Sequence, residues 1–243
     1  MLVIAHRGAS NEFPENSLLA FEQAIAAGVN GIELDVHYHR KSGQYIVLHD
    51  AYLDVTTNGI GHYNDLSIDQ LTQLTLGQNQ TLVTLPQALA LIKGRVFVNI
   101  ELKTVESSLE NLKHQLAILQ DILNHALIFN QFTVEQLILS SFNHLAIYQC
   151  NQQLKQFSRA ALISHFPYNL RSVIDKLGVR LLNIDIHCLN QKLVTNCHQI
   201  GLGVWVYTVD RPDDIQSCSN YGVDGIFTNS PIKTIKQLNT LQN

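Results

Sequence analysis

The chain has 243 residues, 46% of them apolar and 15% charged, with a formal net charge of -4. That length can bury a substantial core, the low charge argues against disorder, and the slightly acidic balance gives no basic field for nucleic acid. No stretch approaches the roughly 20 apolar residues that span a bilayer, so stable membrane insertion is not expected.

The N-terminus runs from Met1-Leu2-Val3-Ile4-Ala5 straight into His6-Arg7-Gly8, without the basic start, long apolar run and small-residue cleavage site of a secretory signal. Four cysteines, Cys150, Cys188, Cys197 and Cys218, all fall in the second half and form no C-x-x-C pair. Reduced, partly buried thiols are expected, and with them a cytoplasmic location.

Short apolar runs predict strands over 2–6, 31–36, 96–102, 136–141, 159–163, 181–186, 203–208 and 224–228. Helical spacing predicts helices over 17–27, 86–91, 109–123, 143–154, 170–177, 191–200 and 212–220. Strands alternating with helices imply parallel pairing through crossovers. An open doubly wound sheet shares this local pattern, but the count of eight strands favours a (β/α)8 TIM barrel. A single domain over 1–243 is expected, interrupted by an insertion over about 37–84. The insertion reads as a hairpin around Lys41-Ser42-Gly43, followed by turns at Asn58-Gly59 and Gly61 and a short helix near 68–74.

In such a barrel the chemistry gathers at the C-terminal ends of the strands. His6 and Arg7 close the first strand. Glu33 and Asp35 are two apart on the second, so both side chains share one face; Asn99, Glu101 and Lys103 repeat that spacing on the third. A lone carboxylate at a strand end is usually one half of an ion pair. Several facing a barrel interior repel one another unless a cation lies among them. Carboxylate oxygens suit Mg²⁺ or Ca²⁺ better than zinc. Lys103 and Arg7 could offset the charge of a phosphate.

Among the eleven histidines, His6 lies beside this cluster, and His49 ends the returning arm of the hairpin, before Asp50. Two imidazoles flanking a phosphorus centre can share proton donation and acceptance near neutral pH. His37 and His39 form an H-x-H pair of the kind that binds zinc in amidohydrolase barrels, yet their place in the hairpin predicts exposed, non-ligating residues.

The series His6-Arg7-Gly8, Pro14-Glu15-Asn16-Ser17, Gly31-Ile32-Glu33-Leu34-Asp35-Val36, Leu48-His49-Asp50 and Asn99-Ile100-Glu101-Leu102-Lys103 resembles the glycerophosphodiester phosphodiesterases. The likeness continues through Ser140-Ser141-Phe142, Val206-Tyr207-Thr208-Val209-Asp210 and Gly222-Val223-Asp224-Gly225-Ile226, so it covers nearly the whole chain. The resemblance implies a TIM barrel that hydrolyses a small-molecule glycerophosphodiester to an alcohol and sn-glycerol 3-phosphate with Ca²⁺ or Mg²⁺. It implies Glu33, Asp35 and Glu101 as metal ligands, His6 and His49 as the acid/base pair, and Arg7 and Lys103 as phosphate contacts. The chain departs from the family pattern in its hairpin turn, at Val55, at Tyr207 in place of a tryptophan, and at Asn229 in place of an aspartate. None of these is expected to touch the metal or the two histidines.

Phospholipase D-like and phosphoinositide lyase-like diesterases use related barrels and form one alternative; a zinc amidohydrolase is another. A barrel that binds glycerol phosphates without turning them over is the non-enzymatic one. Head-group preference and oligomeric state stay open, a homodimer included.

Overall fold

The computed structural model describes residues 1–165 and 170–241. Eight parallel strands close on themselves: β1 (Leu2–His6), β2 (Gly31–His39), β3 (Phe97–Leu102), β4 (Leu137–Ser141), β5 (Ser158–Ile163), β6 (Leu181–Asp185), β7 (Gly203–Tyr207) and β8 (Gly225–Thr228). Each pairs with its neighbour in sequence, and β1 pairs with both β2 and β8, which removes every edge. The fold is the TIM barrel that the alternation predicts.

The helices between the strands are α1 (Leu18–Ala26), α2 (Leu85–Ile92), α3 (Leu109–Phe129), α4 (His144–Gln153), α5 (Leu170–Leu177), α6 (Gln191–Gln199), α7 (Pro212–Tyr221) and α8 (Pro231–Leu241). Ser17, Asn143 and Asn190 each accept a first-turn N–H, the usual way to satisfy donors left free at a helix start. Helix α3 runs six residues past its predicted end, because nothing breaks the helix before Asn130. Helix α8 was not predicted: its sequence is polar, and few positions, Thr234, Ile235 and Leu238 among them, pack inward. No helix among the described residues is long and apolar enough to cross a membrane.

Period-two alternation sorts the barrel walls. On β2 and β3 the outward residues Ile32, Leu34, Val36, Val98, Ile100 and Leu102 pack beneath the helices. Inside, Ile4, Ile138, Trp205 and Phe227, with Phe97 against them, fill the lower layer. Above that plug the inward positions turn polar. The register places His6 level with Glu33, Glu33 level with Asn99, and Asp35 level with Glu101. The site is therefore a consequence of strand register.

The insertion folds over the rim beside β2. Its strand Gln44–Val47 pairs antiparallel with the end of β2, and Val83–Thr84 pairs with that strand in turn. Ile46, Leu48, Leu53, Tyr63, Leu71 and Leu82 give it a small core of its own.

That core corrects one expectation. His37 and His39 are buried, at 7% and 0% exposure, instead of lying open on the hairpin. The Tyr63 ring lies 4.7 Å from that of His37, tilted by 44°, while the His39 ring nitrogens meet Ser42 Oγ at 2.7 Å and the Leu66 carbonyl at 3.0 Å. Later parts of the insertion cover the hairpin, which the local pattern of the hairpin could not reveal.

Candidate active site

The loop after β1 sets the first wall of the site. Arg7 and Gly8 both adopt positive φ, at 58° and 82°. At Gly8 a β-carbon would also sit 2.7 Å from the Ala20 backbone, so glycine is required twice over. The turn aims the Arg7 backbone N–H at Glu33 Oε2, 2.9 Å away. It also leaves the guanidinium between Glu15, at 3.1 Å, and Asp35 Oδ2, at 3.2 Å.

Glu33, Asp35 and Glu101 are 3%, 1% and 7% exposed, and one carboxylate oxygen from each lies within 4.8 Å of the others. Lys103 follows β3 and reaches back, placing Nζ 2.6 Å from Glu101 Oε1 and 3.2 Å from Asp35 Oδ1. Asn16, buried and also at positive φ, donates from Nδ2 to Asp35 Oδ2 at 3.0 Å and accepts the Asp35 N–H at 3.3 Å.

These surroundings divide the carboxylates. Burial, then the charges of Asp35 and Glu101, push the Glu33 carboxyl well above the usual range. Burial and Asp35 raise Glu101 to about 7. At Asp35 burial pulls upward, but Lys103 and Arg7 outweigh it and the net shift is downward. Glu33 Oε1 is buried with no hydrogen-bond partner, and Asp35 Oδ1 and Glu101 Oε1 have only the Lys103 ammonium nearby. An oxygen-only set with unmatched lone pairs fits a hard divalent cation.

His6 and His49 line one cavity of about 400 Å³ together with Arg7, Glu33, Glu101 and Lys103. Burial, followed by the Arg7 charge, lowers His6 to about 4. Its Nε2 lies 3.9 Å from Glu33 Oε2, and with a neutral imidazole this is proximity, not an ion pair. His49 Nδ1 lies 3.2 Å from Asp50 Oδ1, and the His49 carbonyl is 2.9 Å from His37 Nε2. A larger cavity, about 640 Å³, opens between the hairpin and α3 and meets the first at Glu101, Lys103 and Phe142. It touches neither His6 nor His49; both histidines, with Arg7 and Glu33, line the smaller one.

All seven residues singled out in the sequence thus converge. The structure adds supports that had no assigned role: Glu15 on Arg7, Asn16 on Asp35 and His37 on His49. It also corrects one point, because Asn229 does touch a histidine. Its Oδ1 lies 2.7 Å from His6 Nδ1. The H-R-G and P-E-N motifs held the signal for the first two supports; nothing local connects residues 6 and 229.

The chain is similar to several known proteins over nearly its whole length. A glycerophosphodiester phosphodiesterase of Caldanaerobacter subterraneus subsp. tengcongensis is 32% identical over 95% of this chain and 94% of its own length. A phosphodiesterase of Oleispira antarctica, solved in complex with the product sn-glycerol-3-phosphate, superposes with a TM-score of 0.89 at 25% identity, covering 98% of this chain and 97% of that one. A glycerophosphodiester phosphodiesterase of Parabacteroides distasonis shares the fold with a TM-score of 0.85 at 24% identity, covering 100% of this chain and 98% of that one. Residues 6–233 match the family pattern itself, and the chain belongs to the glycerophosphoryl diester phosphodiesterase family.

Proposed function

We propose that this chain, as one barrel domain over residues 1–243, hydrolyses glycerophosphodiesters to an alcohol and sn-glycerol 3-phosphate with the help of Ca²⁺ or Mg²⁺. The observation that carries this is the meeting of three buried carboxylates within 4.8 Å, in a site that also holds His6 and His49. The product bound to the Oleispira antarctica relative supports the same substrate class.

Glu33, Asp35 and Glu101 would hold the cation. Bound there, it would neutralise charge on the phosphoryl oxygens as the transition state forms. Arg7 and Lys103 bring positive charge to the same wall and orient the phosphate. One imidazole takes the proton of the attacking oxygen, from water or from the glycerol 2-hydroxyl. As the phosphorus–oxygen bond to the alcohol breaks, the other imidazole gives that oxygen a proton. If the 2-hydroxyl attacks first, water then opens the cyclic diester, and the two histidines exchange roles. Burial and the Arg7 charge keep the His6 imidazole neutral, the state from which a general base starts.

A cytosolic location accords with four cysteines that are all buried and unpaired. The test is release of sn-glycerol 3-phosphate from a panel of glycerophosphodiesters, with Ca²⁺, with Mg²⁺ and with chelator. Metal-dependent release supports the proposal. Turnover of intact phospholipid in preference to the deacylated diesters, or no release at all, would overturn it.

A further inference from the structure

Behind His6, the segment after β7 meets the end of β8. The Asp210 carboxylate accepts three hydrogen bonds there. Its Oδ1 takes the Asn229 backbone N–H and the Thr228 hydroxyl, both at 2.8 Å. Its Oδ2 takes the Asn229 side-chain Nδ2 at 2.7 Å. A carboxylate can only accept, so it fixes which end of the Asn229 carboxamide faces it: the nitrogen. The oxygen is thereby turned toward His6 Nδ1, 2.7 Å away. That oxygen has no proton to offer, so the hydrogen of this bond must sit on the imidazole.

We propose that Asn229 and Asp210 are positioning residues that keep a hydrogen on His6 Nδ1, so that Nε2 is the ring nitrogen directed at the metal-cage side of the cavity. The inference builds on the role of His6 in proton transfer proposed above. Nε2 does face that side, 3.9 Å from Glu33 Oε2. Ser10 strengthens the arrangement, with its hydroxyl 2.7 Å from the His6 carbonyl and 3.0 Å from Asn229 Oδ1. The loop carrying His6 and the amide that orients its ring are thus joined through one side chain.

The arrangement also accounts for an amide at position 229. A carboxylate there would stand 2.7 Å from that of Asp210, and two like charges so close oppose each other. The chain instead keeps the charge at 210 and a dipole at 229. Exchanging the two residues preserves the hydrogen-bond pattern, with Asn at 210 donating and Asp at 229 accepting from both Nδ1–H and Ser10.

The experiment is ¹⁵N NMR of histidine-labelled full-length protein near neutral pH, with the His6 signals identified by their loss in His6→Gln. A protonated Nδ1 and an unprotonated Nε2 are expected. In Asn229→Leu the signals should move toward a mixture of tautomers, and kcat should fall about 10–100-fold with KM little changed, the scale seen when an outer hydrogen bond that fixes an imidazole is lost. Asn229→Asp alone should also lose kcat, and the double variant Asp210→Asn/Asn229→Asp should regain most of it. A wild-type His6 protonated on Nε2 overturns the proposal, and so does an Asn229→Leu protein with an unchanged tautomer. The wild-type spectrum decides even if Asn229→Leu does not fold. Because it is read without substrate, it also separates a wrong tautomer from a wrong activity.

Discussion

Glu33 and Arg7 are joined across two strands: Glu33 Oε2 accepts the Arg7 backbone N–H at 2.9 Å, which ties the loop leaving β1 to the carboxylate cluster. The other carboxylate oxygen, Oε1, is buried and unmatched. A lone acceptor of this kind costs about 1–3 kcal/mol, a deficit that a bound cation removes. Glu33→Gln keeps the shape and an acceptor for Arg7 while removing the charge. The cation concentration giving half-maximal rate is expected to rise at least about tenfold. The melting temperature in chelator should hold or increase, since repulsion from Asp35 and Glu101 is relieved. Rate titrations and thermal scans in chelator measure the two effects. An unchanged metal requirement removes Glu33 from the cage.

His6 and His49 reach the same cavity from different elements, one on β1 and the other from the insertion. Replacing either with Ala is expected to lower kcat by about 10²–10⁴-fold, the usual contribution of a positioned acid or base. Circular dichroism should show the fold retained, because each imidazole is in part exposed to the cavity. Near-full turnover in one variant would exclude that histidine from proton transfer.

The barrel was legible in the alternation of strands and helices, and the seven central residues in strand ends, the hairpin and the resemblance to a known family. Glu33 and Asp35 share a face wherever β2 is a strand, and the register with β3 then brings Glu101 alongside. The hidden features depend on chain segments far apart. The burial of His37 and His39 required knowing that Tyr63 and Leu66 return over the hairpin. The contact of Asn229 with His6 spans 223 residues and arises only because β8 closes on β1. Helix α8 gave a third kind of difficulty, its polar surface masking the narrow apolar face.

Asn16 is expected to matter to stability as much as to activity. It is buried at positive φ, a conformation asparagine tolerates better than most residues, and both ends of its amide bond to Asp35. Asn16→Gly accepts the same φ but removes both bonds. Hydrogen bonds to charged groups contribute about 1.5–3 kcal/mol, so a loss of that size in denaturant unfolding is expected. Asn16→Asp should be worse, with a second carboxylate about 3.0 Å from Asp35 Oδ2. A loss below about 0.5 kcal/mol for the glycine variant would show the pair to be dispensable.

The raised carboxyls give metal binding a pH dependence of definite sign. In the metal-free protein Glu101 is pushed up to about 7, and Glu33 moves the same way. Between the unfolded carboxyl value, about 4.3, and about 7, the folded state therefore binds more protons than the unfolded chain. The stability drawn from this is full below the unfolded value and is lost as pH rises through about 7. Asp35 is shifted the other way, so its contribution is present at neutral pH and lost only on acidification below the usual carboxyl range. A cation needs the carboxylates ionised and must displace protons to bind at low pH. At a fixed cation concentration the gain in melting temperature over the chelated protein should accordingly grow between about pH 6 and about pH 8. Thermal scans with and without Ca²⁺ across that range measure it. An equal gain at both ends would mean that the cation binds away from Glu33 and Glu101, since no other buried carboxylates among the described residues are raised in this way.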